Sequence, residues 1–436
     1  MLALPVEQLL VAVLAAAVSP APSSGLSLEE SVALALSRNE RAQIASLQTE
    51  AAVARVAQAR AFFFPELVLS GGYTRRPGEV VRDVGGTHVT IQSLDALFTT
   101  ATARWTLFDA RGFPLYRTAR LARDAARLEE GESKRLLGFE AADAFLRTLS
   151  TEQVYQAAVR RQELAQTSLA QARQRFAAKL VSVNDVTRAE LELATAQREA
   201  TLAQGEARAA VVQLAFLLDA EVRAPLVVPT ALLETAAREL ESEAALLAKA
   251  TASRLDIFSA VARAESAEAF ANEPWMRFLP SVSLRGQYRL TNEPGLIGRT
   301  GEGTVGADAS WVLFDQGLAF AQADERDAAA RIARLSARLT VREVEVQVRE
   351  AIISLQSAQS ALAQAAVAAI AARKNADEVA ELYRQGLASA LEVADSSVAL
   401  FEAEVALARE RYGMALAYLN LRAAIGVDPL GREVER

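Results

Sequence analysis

The sequence predicts a mainly helical fold with a smaller β portion, arranged as one unit repeated twice. Three observations carry that expectation. The chain has 436 residues but only 12 prolines and 21 glycines, and they are bunched. No proline separates Pro114 from Pro225 or Pro294 from Pro429, and neither residue type occurs between Gly317 and Gly386. These gaps are rich in Ala, Leu, Glu, Gln and Arg, whereas a compact α/β enzyme needs turns every ~10–20 residues. Second, four stretches alternate apolar and polar residues with the period of a strand. Third, motifs recur in order: FPELVLSGGY (Phe64–Tyr73) and LPSVSLRGQY (Leu279–Tyr288) lie 215 residues apart, and the Trp-x-Leu-Phe-Asp runs starting at Trp105 and Trp311 lie 206 apart.

Residues 1–24 read as a signal peptide. Leu9–Val18 is an apolar run followed by small and turn-forming residues, too short for the ~20 residues of a membrane helix. The usual positive n-region is replaced by Glu7. No later stretch approaches a transmembrane helix, which excludes an inner-membrane transporter. The first repeat then spans 25–219, opening with the capping-box pattern Ser27-Leu-Glu-Glu30. A linker covers 220–240, the second repeat 241–428 and a tail 429–436. Each repeat reads helix, strand, loop, strand, long helix, turn, helix.

The strands are Leu67–Thr74, Thr100–Leu107, Ser281–Thr291 and Thr304–Leu313. In the third, Val282, Leu284, Gly286, Tyr288 and Leu290 share one face while Ser283, Arg285, Gln287 and Arg289 share the other. A half-buried soluble sheet would alternate in the same way. The arginines on the polar faces suit a wet lumen, however, and the tryptophans near strand ends suit a membrane interface. Their length, ~8–11 residues, suffices to cross a membrane when tilted. Connections Arg75–Ser93 and Asn292–Gly301 are polar and glycine-rich. Four strands cannot close a membrane barrel, whose smallest size is ~8, so spanning strands would require several copies to share one barrel.

The long helices run from about Phe113 to Ala178 and from Gly317 to Gln385, ~100 Å each at 1.5 Å per residue. The second carries a 3-4 apolar seam from Val341 through Val348 and Leu355 to Ala369. Returning helices, Asp185–Leu218 and Glu392–Ile425, complete two hairpins. Composition narrows the chemistry further. With no cysteine and a single histidine, His88, in a Gly/Asp-flanked polar loop, the chain has no thiol site, no plausible metal set and no catalytic dyad. A net charge of −7 argues against nucleic acid.

The paired strand entries, the paired Trp-x-Leu-Phe-Asp exits and the hairpin tips together resemble the TolC-like outer-membrane efflux proteins over residues ~25–428. That resemblance implies a homotrimer whose twelve strands form one outer-membrane barrel in contact with lipid, continued by an α-helical tube in the periplasm. It implies a passive duct without cofactors, gated at its helical tips and engaged by a periplasmic adaptor and an inner-membrane pump or ABC exporter. By position, Glu392 and Asp395 would form the pore constriction; without the family, two acids at i, i+3 would simply be a solvated helix face. Asp185 and Tyr383 would belong to a closed-state tip network, whose arginine is replaced here by Ala388. Lys179, Leu180, Gly386 and Leu387 would contact the adaptor, with Lys179 standing where glycine is usual. Tyr73, Trp105, Tyr288 and Trp311 would face the membrane. The competing readings are a periplasmic adaptor, which needs one hairpin within a lipoyl-like domain, a coiled-coil filament, which leaves the strands unexplained, and an enzyme, which lacks a site.

Overall fold

The computed structural model describes residues 25–222, 225–293 and 299–433, so the expected signal peptide lies outside the described residues. In chain order the elements are α1 (Leu28–Arg38), α2 (Glu40–Ala61), β1 (Glu66–Arg75), β2 (Val80–Val84), β3 (Thr87–Gln92), β4 (Asp95–Phe108), α3 (Gly112–Ala177) and α4 (Val183–Leu218). They continue with α5 (Thr230–Ala236), α6 (Glu243–Ser253), α7 (Leu255–Ala271), α8 (Glu273–Met276), β5 (Ser281–Thr291), β6 (Gly301–Ser310), α9 (Leu318–Gln385) and α10 (Ala390–Ala424). The four long helices and both tips fall within two residues of their sequence-based bounds. Among the described residues no helix is long and apolar enough to cross a membrane, which says nothing of strands.

Contacts divide the chain into two compact units. One holds the chain up to Gln43, Ser133–Arg254 and the chain from Val344; the other holds Ile44–Glu132 and Leu255–Glu343. This division cuts across the sequence repeat, because each repeat contributes to both units.

The first unit is helical and owns the main core. Leu28 and Val32 of α1, Phe145 and Leu146 of α3, Leu214 of α4, Leu232 of α5 and Tyr412 of α10 meet there, all nearly inaccessible. Tyr412 keeps its hydroxyl satisfied by accepting from Gln153 at 3.0 Å. The Ser27 capping box forms as expected, with Glu30 N donating to Ser27 Oγ at 3.1 Å and Ser27 N to Glu30 at 3.0 Å. The linker is stitched into this unit rather than loose. α5 buries Leu232 and Leu233, and Gln359 donates to the Ala236 carbonyl at 2.8 Å.

Where one short helix is expected before each strand pair, there are two in tandem, followed in the second repeat by the single turn α8. The break is a single extended residue, Asn39 (ψ 133°) in the first repeat and Arg254 (ψ 120°) in the second. Both are buried and both donate to the end of a returning helix: Asn39 to the Leu217 carbonyl at 3.0 Å, Arg254 to the Ala424 carbonyl at 3.2 Å. The donors are 215 residues apart and the acceptors 207, so the repeat seen in the motifs is also a repeat of hydrogen bonds.

The second unit contains the four-stranded antiparallel sheet, in the order β1-β4-β5-β6. The expected loop Arg75–Ser93 is instead a β2–β3 hairpin, turned by Gly85 and Gly86 at positive φ, and His88 lies on β3 rather than at a loop tip. That hairpin accounts for the longer first repeat. β6 also begins and ends three residues earlier than its alternation suggests. Its partner β5 starts at Ser281, opposite Ser310, so beyond Ser310 there is nothing to pair with, and Trp311 lies just past the strand. The chain then turns through Gln316 and Gly317, both at positive φ.

Truncating the helical core at Phe145→Ala, where the ring is fully buried, is expected to cost about 3–5 kcal/mol. Denaturant unfolding followed by far-UV circular dichroism checks this.

Candidate functional site

Two regions concentrate the unusual chemistry: the sheet, in one compact unit, and the hairpin tips, in the other. On the sheet the register decides everything. Leu69 pairs with Ala101, Ala101 with Tyr288 and Tyr288 with Gly303, so these residues form one row across all four strands. Leu67, Ala103, Gly286 and Val305 form the next row, and Trp105, Leu284 and Ala307 another. The apolar faces of the separate strands thus coincide on one side. Thr102, Gln287 and Thr304, then Arg104, Arg285 and Gly306, occupy the other side in the same register. A β-bulge between Thr106 and Phe108 returns Phe108 to the apolar side, opposite Val282.

That apolar side is bare. Leu67 is 80% exposed, Leu69 75% and Val305 88%. The polar side carries no core either; Arg285 and Asp308 form only a loose pair at 3.7 Å. β1 and β6 keep their outer edges unpaired.

The four expected aromatics are all exposed. Tyr73 lies opposite Leu97, and eight residues along β4, ~27 Å of strand, comes Trp105. Each indole N–H is tied down in an equivalent way, Trp105 donating to the Phe63 carbonyl at 3.0 Å and Trp311 to the Phe278 carbonyl at 2.9 Å. Sequence reasoning missed the aromatic clusters beside them. Phe63 stacks near Phe62 and Phe113, and Trp275 near Phe278 and Phe320, at centroid distances of 5.4–6.5 Å. The signal was present as Phe62-Phe63-Phe64 and Trp275-Met-Arg-Phe278, just before each first strand.

The strand-to-helix junctions differ between repeats. Asp109 is buried beneath Arg111, which donates to it at 2.5–3.1 Å. Burial pushes the Asp109 carboxyl up, but the Arg111 bonds outweigh it and the group sits below the usual carboxylate range. In the second repeat glycine (Gly317) stands in the arginine's place. Asp315 there accepts from the Ala319 N–H at 2.9 Å through one oxygen, while the other is buried without a partner.

At the tips, two different sequences make the same turn. After α3, Lys179 N donates to the Phe176 carbonyl at 2.8 Å and Leu180 N to the Arg175 carbonyl at 2.9 Å. After α9, Gly386 N donates to Tyr383 at 3.0 Å and Leu387 N to Leu382 at 2.9 Å. This is the Schellman pattern, and its left-handed residue is Lys179 (φ 59°) in one tip and Gly386 (φ 80°) in the other. The turn needs a positive φ, which glycine adopts freely and lysine does not. Leu180 and Leu387 then project into solvent, 75% and 73% exposed.

Asp185 and Glu392, also 207 apart, are the N3 acids of capping boxes. The Asp185 carboxylate accepts from Ser182 N and Oγ at 3.0 and 3.1 Å, and that of Glu392 from Ser389 N and Oγ at 2.6 and 2.8 Å. The bonds from Ser389 hold the Glu392 carboxyl below the usual range. Asp395 is exposed one turn further along the same face.

Among the described residues no hydrogen bond joins Asp185 to Tyr383. Tyr383 is buried beneath the Arg175 guanidinium, 4.3 Å from its ring centroid, and Arg175 also donates to the Arg384 carbonyl at 2.9 Å. Further from the tip, Glu404 of α10 bridges Arg160 of α3, at 2.9 Å, and Arg373 of α9. Beside it Arg161, 5% exposed, is held by Glu192 and Glu199 and lies over Phe401 of α10. These paired charges were not recognised in the sequence, where Arg and Glu are scattered along every helix.

The family model described as "Outer membrane efflux protein" matches residues 32–220 and 246–427. Solved structures share the fold. The Campylobacter jejuni CmeC outer membrane channel superposes with a TM-score of 0.78 at 15% identity, covering 94% of this chain and 87% of that one. CusC gives 0.77 at 19%, covering 92% of each chain. The open state of the Neisseria gonorrhoeae MtrE outer membrane channel gives 0.73 at 19%, covering 94% and 91%. No curated protein sequence matches the chain significantly.

Replacing Lys179 by glycine is expected to stabilise the first tip by about 1 kcal/mol, and Gly386→Ala to destabilise the second by a similar amount; chemical denaturation of each variant checks both signs. The depressed Glu392 carboxyl contributes stability above its unfolded-state pKa. That contribution is lost as pH falls through the lower folded value. Amide hydrogen exchange of residues 389–394 is expected to accelerate there, relative to the intrinsic rate, and to lose this pH step in Glu392→Gln.

Proposed function

The chain belongs to the outer membrane efflux protein family, and from that membership we propose that several copies, three by resemblance, close one barrel and form an export duct. As a family member it is an outer-membrane efflux duct. The adaptor reading falls, since two hairpins each follow their own strand pair and the last long element is a helix.

The observation that carries the proposal is the register: one continuous apolar side on an open sheet with two unpaired edges. In lipid an unpaired edge is prohibitively costly, and an antiparallel sheet of four strands can continue into the next copy without reversing direction. The apolar side would then face outer-membrane lipid, with Tyr73, Trp105, Tyr288 and Trp311 on it. The polar side would line water. A second feature supports copies side by side. α9 buries Ala330, Ala337, Val344 and Ala351 at seven-residue intervals, yet exposes Ile332, Leu339, Val346 and Ile353 at the same interval, two residues (~200°) around the helix. A helix apolar on opposite sides fits a closed ring of helices. The unpartnered Asp315 oxygen fits a junction completed by a neighbour.

At the entrance we assign Glu392 and Asp395 to the constriction. Three copies would bring six carboxylates around one axis, attracting cations and repelling anions. Because Glu392 also caps its own helix, it would set both the aperture and the rigidity of the tip. Asp185 would cap the companion tip, with Tyr383 and Arg175 providing the link between hairpins that the resemblance implied for Asp185 with Tyr383. Exposed Leu180 and Leu387, with Lys179 and Gly386, would meet a periplasmic adaptor, itself coupled to an inner-membrane pump or ABC exporter. Signal peptide 1–24 and repeats 25–219 and 241–428 complete the proposed organisation.

Heat-resistant trimers in outer-membrane fractions are expected; a monomer soluble without detergent would exclude the shared barrel. In planar bilayers, Glu392→Ala combined with Asp395→Ala should raise single-channel conductance and weaken block by divalent cations. Unchanged conductance would remove both acids from the constriction.

A further inference from the structure

The packing of the two helical hairpins leaves a cavity of about 140 Å³ just behind the tips. Leu164 of α3, Tyr383 of α9 and Val393 and Leu400 of α10 supply apolar walls. An adjoining cavity of about 160 Å³ shares Leu164, Asp377, Ser397 and Leu400 with it. Cavities of ~150 Å³ hold a benzene-sized ring, so the space suits one aromatic group.

The charges around it are not equivalent. Glu192 is committed to Arg161, and Arg160, Arg373 and Glu404 satisfy one another. Asp377, an exposed residue that lines both cavities, makes no hydrogen bond or ion pair among the described residues, and the exposed Arg188, which lines the first, is likewise free. Arg188 borders only the first cavity, whereas the Asp377 carboxylate borders both. A ligand with its ring between the hairpins can therefore place a cationic end at Asp377.

We propose that this cavity is a binding site for small arylalkyl amines, the ring enclosed by both hairpins and the ammonium paired with Asp377. Since its walls come from both hairpins, an occupant stabilises their packed arrangement by mass action. That consequence rests on the tips being the entrance; the binding itself does not.

The test uses the detergent-solubilised protein with three water-soluble probes of one shape: 2-phenylethylamine, 2-phenylethanol and 3-phenylpropionate. Saturation-transfer NMR and thermal-shift titration are expected to rank the amine first. Asp377→Asn should weaken the amine about three- to five-fold, the range of a solvent-accessible ion pair, and leave the alcohol unchanged. Ala380→Phe, or Ala376→Phe if the first variant is poorly folded, should abolish all binding. Tightest binding of 3-phenylpropionate would assign the polar end to Arg188 and overturn the amine specificity. Binding that survives cavity filling, or no binding of any probe at millimolar concentration, would overturn the site. Conductance recorded with and without the amine reads the effect on opening separately, so failure of the duct reading and failure of the site remain distinguishable.

Discussion

The structure depends on one constraint: a four-stranded sheet that cannot satisfy itself. Its register gathers the apolar residues on a single side, where Leu67, Leu69 and Val305 stand almost fully exposed, and leaves the outer edges of β1 and β6 unpaired. In water such a surface would aggregate, and in lipid the edges could not persist. Continuation of the sheet into further copies, as proposed above, would remove both problems. The second apolar stripe of α9 is likewise left exposed by its own chain.

Within one chain, stability comes from the helical unit and from interactions installed twice. Asn39 and Arg254 share no chemistry beyond a donor nitrogen, yet both break a helix and bind the end of a returning helix. Ser182-Asp185 and Ser389-Glu392 form matching capping boxes, and Lys179 and Gly386 occupy the same left-handed position. The duplication therefore preserved backbone geometry while side chains drifted. Departures from symmetry mark places where the repeats face different surroundings. Arg111 covers Asp109 in one repeat, whereas Asp315 in the other has Gly317 in the corresponding place and one oxygen unsatisfied.

Charged side chains contact one another and aromatic rings between the two hairpins, alongside the apolar cluster of Val154, Ala158, Ala203 and Ala408. Arg175 lies across Tyr383, Glu404 gathers Arg160 and Arg373, and Arg161, held by two glutamates of its own hairpin, lies over Phe401 of the other. Parting the nearly buried Arg161 from its glutamates would leave a buried unpaired charge, whereas Arg160 and Arg373 are more than half exposed and their pairs with Glu404 contribute less. Alanine-rich seams allow close helix approach, and the cavity behind the tips is where that approach is incomplete.

Helix existence, hairpin count and strand faces were legible in the sequence because each follows from local periodicity and from the absence of glycine and proline. The bounds of α3, α4, α9 and α10 were read to within two residues for that reason, and the offsets 215 and 206 exposed the duplication. The β2–β3 hairpin was hidden because a short polar strand pair turned by Gly85-Gly86 resembles a glycine-rich loop. The kinks at Asn39 and Arg254 were hidden because neither residue is a helix breaker by itself; burial and a distant carbonyl impose the extended backbone. Likewise, nothing local distinguishes Arg161 or Glu404 from dozens of solvated charges. The sequence by itself determined the four long helices, which strand faces are apolar, and that the plan is repeated. Only the tertiary structure decided the strand order, the register that merges those faces into one side, and which charges are buried together, because pairing between distant segments has no period that a linear reading can detect.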